Sequence, residues 1–401
     1  MAGNKPETEA PSKRKPAAPR RQRLAAEVAN IYATPATPDD LAFIARELIL
    51  CTLPHSDPGD VPAWSRTNGN LTLGIQPGFN HKTGKSYGLP YGIIPRLILV
   101  WMVTEVVRKK TRRLDLGERF SDFLATLGLD PSRGGERSDA KRVREQMERL
   151  FRSTISFEYS ATGEGRRASA WLDMKVAPRG YFWWSDNDSK PDAGEFSGNQ
   201  IEVGEEFYKA ILAFPSPLDI RVLRHVKDSS LGIDLYTILN REAFIAMKSG
   251  KPRFLAWEWL MTQTGNEYGR LDHFRNKALE QIEAILKVHP GLIITVQKGR
   301  KGRKSGLWIS NLSTPSIPPD LVGEPSPVAA VAAAKAIAPP PRPPLKPATV
   351  ETFRRRYPGL DPRACQAAFD AWQAGLPPES KARRYDSAFL GFAARWAKGK
   401  L

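Results

Sequence analysis

The stretch that decides the fold runs RFLAWEWLMTQTG (residues 253–265), LDHFRNKALEQIEAILKVHPG (271–291), LIITV (292–296), QKGRKGRKSG (297–306) and LWIS (307–310). Its first run predicts a short strand and a helix that Gly265 ends. In the second run, Phe274, Ala278 and Ile282 recur at helical spacing, which predicts an amphipathic helix. The two short apolar runs predict strands, so the order of elements is strand, helix, helix and hairpin.

The tip of this hairpin is strongly basic. It carries Lys298, Arg300, Lys301, Arg303 and Lys304 with no acidic residue among them. A lone loop of this kind is equally typical of a solvated hairpin. Here it follows a helix whose first turns carry residue types that bind phosphates and base edges, namely Arg270, His273, Asn276 and Lys277. This order is that of a winged helix, with the second helix in the major groove of double-stranded DNA and the tip as the wing.

The same pattern occurs earlier in the chain. LDLGERFSDFLATLG (114–128) precedes the helical run SDAKRVREQMERLF (138–151), and two strands are predicted at about 154–160 and 168–176, joined by TGEGRR. Gly128 and Ile155 are 27 positions apart, and Gly265 and Ile293 are 28 apart, which indicates one unit used twice. The candidate DNA-binding residues of this first unit are Arg137, Lys141, Arg142, Arg149, Arg166 and Arg167. We therefore predict an α+β chain with two tandem winged-helix domains.

Composition points to a polyanionic partner. The chain has 401 residues, a net charge of +17 and 41% hydrophobic residues, enough for two or three cored domains. Two cysteines form no disulfide framework and fit a reducing cytoplasm. The longest apolar run, LILVWMV (97–103), is too short to span a bilayer, and no secretory signal is evident. These features predict a cytoplasmic protein associated with nucleic acid rather than with a membrane.

The domain order follows from shifts in composition. Residues 1–36 are predicted to be a disordered basic arm, 37–184 the first winged-helix domain, and 200–312 the second. A Pro/Ala-rich linker (313–349) precedes a small helical C-terminal module (350–401), which could bind DNA or a protein. TPDDLAFIARELILCTLP (37–54) is predicted as a helix. GFNHKTGKS (78–86) resembles a phosphate-binding loop with one residue too many, and is predicted as an ordinary loop.

Residues with catalytic potential are few. Tyr236 could act as a nucleophile in DNA cleavage, but it lies within an apolar helical run, which favours core packing. The histidines, at 55, 81, 225, 273 and 289, include no pair one residue apart that would hold a metal, and no zinc-type cluster is present. No aromatic sheet motif of RNA-binding domains is found. We therefore expect a protein that is not an enzyme and has neither metal nor cofactor.

Two stretches resemble the plasmid-encoded RepA replication initiators. They are residues 87–129, from YGLPYGIIPRLILV to FLATLGL, continued by SDAKRVREQMERLF, and SSLGIDLYTILNREAF (229–244) with the helix–wing unit after it. The resemblance covers roughly residues 85–315. It implies binding to repeated sites (iterons) at a plasmid origin, opening of AT-rich DNA, and recruitment of host DnaA and a DnaB-type helicase. It also implies a homodimer and repression of the protein's own gene. The alternative is a winged-helix transcriptional regulator without a replication role.

Overall fold

The computed structural model describes residues 28–29, 31, 34–130, 139–163, 166–182, 199–264, 268–300, 303–322, 345–374 and 385–398, without the side chains of 161–163, 166–169, 371, 374 and 398. Most of the predicted basic arm and most of the predicted linker therefore lie outside the described residues. The described chain mixes helices with five small sheets, which confirms the α+β class.

The elements up to residue 202 are β1 (Leu41–Ala45), α1 (Arg46–Leu50), β2 (Trp64–Asn68), β3 (Leu71–Gln76), β4 (Phe79–Asn80), β5 (Lys85–Ser86), α2 (Ile93–Lys109), β6 (Arg113–Asp115), α3 (Phe120–Thr126), α4 (Asp139–Arg152), β7 (Thr154–Gly163), β8 (Arg166–Lys175), β9 (Arg179–Tyr181) and β10 (Gln200–Glu202). Strands β2, β3, β7 and β8 form one sheet in that order, and β6, β10 and β9 form another.

The later elements are α5 (Glu205–Ala213), β11 (Pro215–Asp219), α6 (Ile220–Val226), α7 (Ser230–Ser249), β12 (Arg253–Ala256), α8 (Trp257–Thr264), α9 (Leu271–Leu286), β13 (Ile294–Gln297), β14 (Gly306–Ile309), α10 (Pro319–Val322), α11 (Pro347–Arg356), α12 (Pro362–Ala374) and α13 (Tyr385–Lys398). Helix α9 and its two flanking strands occupy the positions that the sequence predicts. Phe274, Ala278 and Ile282 are buried along one face of this helix.

The helix predicted over residues 37–54 is wrong for its first half. Residues Leu41–Ala45 form strand β1, which pairs antiparallel with Pro215–Asp219. Both faces of the strand are covered, since Ala42, Phe43 and Ile44 are all buried. An apolar run covered on both faces has no alternation, so its sequence does not distinguish a strand from a helix. The partner strand, far away in sequence, decides between them.

The two predicted units share their helix–helix–hairpin order but differ in their sheets. In the later unit the strand order is β12-β14-β13, so the strand before the helices pairs with the last strand of the hairpin. In the earlier unit β6 pairs instead with β10, which lies between β6 and β9. Strands β2 and β3 extend the hairpin of β7 and β8 on its other edge. The two units therefore share the order of their helices and hairpin but differ in how the strand before the helices is paired.

One hydrophobic core extends through both units. Beyond the β1–β11 pairing, Gln263 donates to the carbonyl of Ile49 at 2.7 Å, and Thr52 donates to the carbonyl of Thr264 at 2.9 Å. The division into two domains stays a prediction, but the contacts show that the units are packed together. The C-terminal helices have a core of their own around Phe353, which is fully buried. No helix in the described ranges is both long and apolar enough to cross a membrane.

A buried charged cluster joins helix α2 of the earlier unit to helix α7 of the later one. Arg96 donates to both carboxylate oxygens of Asp234 at 2.8 Å, and also to the carbonyls of Leu53, Pro54 and Gly92. Every N–H of the guanidinium is thereby satisfied. His55 Nε2 lies 2.8 Å from Asp234 Oδ2.

The charges explain the protonation of this cluster. Burial alone would raise the pKa of Asp234, but the charge of Arg96 and the hydrogen bonds from Arg96 and His55 lower it to about 2. Burial lowers the pKa of His55, against the opposing effect of its bond to Asp234. Asp234 is therefore a carboxylate and His55 a neutral imidazole near neutral pH.

Removing one charge of this pair should destabilise the protein strongly. Asp234→Asn leaves the Arg96 charge buried without a counter-charge, and we expect a loss of about 3–5 kcal/mol in the free energy of unfolding. Chemical denaturation followed by tryptophan fluorescence measures this. The control is Glu283→Gln, which breaks the exposed 3.0 Å pair with Lys287 and should cost under about 1 kcal/mol. Similar losses for the two variants would contradict the role assigned to Arg96 and Asp234.

The buried His289 should make stability fall in mild acid. Burial lowers the pKa of His289 to about 4, and its Nε2 has no hydrogen-bond partner among the described residues. Because the unfolded pKa is about 6.5, the unfolded state binds the extra proton, and stability is lost as pH falls from about 6.5 to 4. Between pH 8 and pH 5 this group should account for about 2 kcal/mol of the loss in the free energy of unfolding.

The measurement is the unfolding free energy of His289→Leu at both pH values, with the same substitution at exposed His81 as the control. We expect the loss on acidification to shrink for the first variant only. A loss equal to that of the wild type in His289→Leu would contradict the assignment.

Candidate nucleic-acid interface

The tip of the later hairpin presents cations to solvent. Between strands β13 and β14, two backbone hydrogen bonds join Arg300 and Arg303, at 3.1 and 2.8 Å. The side chains of Lys298, Arg300, Arg303 and Lys304 are all exposed, while Lys301 lies outside the described residues. No acidic residue occurs in this tip, so the positive charge is not compensated locally.

The base of the hairpin holds the tip in place. Gln297 donates to the carbonyl of Lys304 at 2.7 Å and accepts from the indole N–H of Trp308 at 2.9 Å. A Cβ at Gly306 would lie 2.2 Å from the carbonyl oxygen of Leu255 on the neighbouring strand. Only glycine fits at this crossing, so Gly306 lets β14 pair closely with β12.

Helix α9 carries mixed rather than purely basic charge. Arg270 pairs with Asp272 at 2.7 Å, and Lys277 pairs with Glu280 at 3.0 Å. His273 and Asn276 are also exposed, and the His273 and Tyr268 rings lie edge to face with their centres 5.1 Å apart. All four predicted side chains of this helix thus lie at the surface, but two of the cations already have acidic neighbours.

Sequence analysis missed Arg275 on the same helix. Its side chain is exposed beside Asn276, and it has no ion pair among the described residues. Helical periodicity could have identified it, since the residue one position after the buried Phe274 lies at the edge of the apolar face. Arg275 therefore adds an accessible cation to the first turns of α9.

The basic residues predicted on one face of helix α4 differ in their exposure and contacts. Lys141 and Arg142 are exposed, and Arg142 lies 3.5 Å from Asp139. Two further arginines of this helix are also exposed but lie over aromatic rings: Arg144 over Phe120 at 4.7 Å and Arg152 over Tyr87 at 5.1 Å.

Arg149 does not have the surface position that the sequence predicts. Only 15% of its side chain is exposed, and the guanidinium contacts Asp57, Glu145 and the carbonyl of Leu89. Its neighbours hold it within the protein, so it stabilises the loop before α2 instead of facing a ligand. Arg137 lies outside the described residues, and so do the side chains of Arg166 and Arg167, whose backbone begins strand β8.

Tyr236 lies in the core, which confirms its predicted placement. The side chain is fully buried, and its hydroxyl accepts from the backbone N–H of Asp219 at 2.8 Å and lies 2.7 Å from Ser316 Oγ. Burial raises the pKa of this phenol well above its usual range. Within the ranges that the structure describes, no three His, Cys, Asp or Glu side chains are grouped to hold a metal ion.

An exposed basic hairpin next to a surface helix is typical of proteins that bind nucleic acids. Residues 89–259 match the family model described as plasmid encoded RepA protein. This match confirms the resemblance that the sequence motifs indicate, and it includes Arg96 and Asp234 of the buried cluster. It supports assignment to the replication initiators.

Other comparisons give weaker results. No curated protein matches the chain. A crystal structure of domains 2 and 3 of RctB aligns at 12% identity with a TM-score of 0.40, over 64% of this chain and 93% of that one. A second structure of the same RctB domains aligns at 13% identity and a TM-score of 0.40, over 66% and 95%. Alignments at these scores define no shared fold, and the proposals below do not depend on them.

The basic tip should contribute affinity without sequence choice. We expect Arg300→Ala/Arg303→Ala to weaken binding to its own site and to random DNA equally, because such cations contact phosphates. The slope of log K against log salt should become shallower by about 2. The control, Lys248→Ala/Lys251→Ala, removes two exposed cations at the other end of the β12–β14 pair. Loss of site preference with unchanged overall affinity would contradict this assignment.

Helices α4 and α9 should contact separate parts of one DNA site. We expect Asn276→Ala to cost about 1–3 kcal/mol of binding free energy on the specific site and little on random DNA. Arg142→Ala should act likewise on a different block, about 10 bp away. Binding assays with base pairs scrambled block by block distinguish the two. If scrambling one and the same block of base pairs removed the effect of both substitutions, the two helices would not contact separate parts of the site.

Proposed function

We propose that this protein initiates plasmid replication by binding repeated sites (iterons) at the origin through two winged-helix units. The observation that carries the proposal is the match of residues 89–259 to plasmid-encoded RepA proteins. The net charge of +17 and the exposed basic hairpin tip are consistent with duplex DNA as the ligand.

The order of elements in the later unit supports a winged helix. Helix α7 is followed by β12, helices α8 and α9, and the hairpin of β13 and β14, with β14 in the centre of the sheet. In this arrangement α9 enters the major groove and residues 298–304 contact the neighbouring backbone. The earlier unit would present α4 in the same way, with the additional strands β2 and β3 at the edge of its sheet.

Origin opening and helicase loading follow from the same family resemblance. The bound initiator would help to separate AT-rich DNA and recruit host DnaA and a DnaB-type helicase. It would form a homodimer and repress its own gene. The β13 edge of the later sheet supports self-association, because Val296 within the strand and Ile293 just before it are 48% and 46% exposed.

A winged-helix transcriptional regulator is the alternative, since it would bind duplex DNA through the same surfaces. Footprinting the purified protein on the DNA upstream of its own gene should reveal protected repeats. The protein and that DNA together should then maintain a plasmid in a host with no other matching initiator. Specific protection without plasmid maintenance would favour the regulator.

Binding should depend strongly on salt. If the tips and the arm together neutralise roughly 6–10 phosphates, the slope of log K against log salt should lie near −5 to −9. Titrations of labelled origin DNA at several salt concentrations measure this slope. A value shallower than about −3 would show that the basic surfaces are not the binding face.

A further inference from the structure

The segment of residues 78–86, GFNHKTGKS, has a defined structure that its sequence does not predict. It forms a small hairpin in which Phe79 pairs with Ser86 and Asn80 pairs with Lys85. The side chain of Asn80 accepts from the backbone N–H groups of Lys82 and Thr83 at 3.0 and 3.3 Å. We call this segment the 78–86 hairpin. The hydrogen bonds of Asn80 hold its tip in a defined conformation.

The 78–86 hairpin is attached to the C-terminal end of helix α4. A Cβ on Gly78 would lie 2.4 Å from the Cβ of Arg152 and 2.7 Å from its carbonyl oxygen, so the two backbones are in direct contact. The N–H of Tyr87 donates to the carbonyl of Gly78 at 2.9 Å, and the guanidinium of Arg152 lies 5.1 Å from the centre of the Tyr87 ring. The hairpin is thus fixed beside a helix that we propose contacts DNA.

Its exposed surface is basic and aromatic. His81, Lys82 and Lys85 are exposed, and no acidic residue occurs between residues 61 and 104. Neither lysine has an ion pair within the described part of the chain. Phe79 is 53% exposed, and its ring centre lies 5.5 Å from that of His81 in an edge-to-face arrangement. By contrast, Arg142 of helix α4 has an acidic neighbour at 3.5 Å, so the hairpin lysines are less compensated than this cation of the helix.

We propose that the 78–86 hairpin is a further DNA-binding element that contacts the phosphate backbone next to the segment bound by helix α4. Lys82 and Lys85 would bind phosphates, and the exposed ring of Phe79 would pack against the adjoining sugars. The uncompensated charge favours a polyanion, and the attachment to α4 favours the same duplex. This inference rests on the proposed DNA-binding function and extends it to a surface outside helix α4 and the β7–β8 hairpin of the earlier unit.

The test compares Lys82→Ala/Lys85→Ala with the wild-type full-length chain on origin DNA and on random duplex. We expect affinity to fall on the order of ten-fold or more on both DNAs at about 0.1 M salt, and the salt slope to become shallower by about 2. Thermal unfolding should be unchanged, because both side chains are exposed. Lys248→Ala/Lys251→Ala removes the same charge from exposed positions at the C-terminal end of helix α7 and should change neither quantity. Hydroxyl-radical footprints should lose protection only at the edge of the α4 block.

The outcomes separate this inference from the proposed function. Unchanged affinity and slope in the hairpin variant, with a wild type that binds its site, would overturn the hairpin's role alone and leave it as a surface for another partner, such as an acidic protein. Equal losses in the hairpin variant and in the control would also overturn it, since they would reflect only net charge. Failure of the wild type to bind origin DNA would overturn the proposed function and, with it, this inference.

Discussion

The buried pair of Arg96 and Asp234 is the interaction on which the arrangement of the two halves depends. Taking both charges out of water costs several kcal/mol per ion, and only close contact and complete hydrogen bonding offset that cost. Both conditions hold here, since Arg96 makes five hydrogen bonds to Asp234 and three carbonyl groups. The geometry leaves little freedom for sliding between helices α2 and α7. Two candidate DNA-binding helices are therefore carried on one connected core.

The candidate interface has the opposite character. Its ion pairs, such as Arg270 with Asp272, are exposed and each contributes little to stability. Phosphate oxygens can replace the carboxylates in such pairs without a large desolvation cost, because the cations are already in water. The rigid core fixes the positions of the cations. Because the cations are exposed, they can exchange a carboxylate partner for a phosphate. This division of roles suits a protein that binds a charged polymer in a fixed register.

The sequence predicts the later unit well because its signals are local. Helical spacing identifies α9, and a basic run between two apolar runs identifies the hairpin tip. The earlier unit is predicted less completely. Its hairpin and helices are where the pattern places them, but β6 pairs with β10, which comes from a segment more than 80 residues later. The sequence predicts a helix where strand β1 forms for the same reason, since the partner strand β11 lies far along the chain. Burial of Arg149 likewise depends on Asp57 and Leu89, which periodicity in α4 does not reveal.

By itself the sequence determined the α+β class, the family resemblance, the order of helices and hairpins, and the positive charge that favours nucleic acid. These properties follow from composition and from periodicities within a few residues, which the chain carries wherever it is placed. Only the tertiary structure decided which strands pair, which cations stay accessible, and how the two units are joined. Arg96 and Asp234 are 138 positions apart, and nothing near either residue signals the other. Such contacts form only when the whole core closes, because a buried charge is stable only beside its partner.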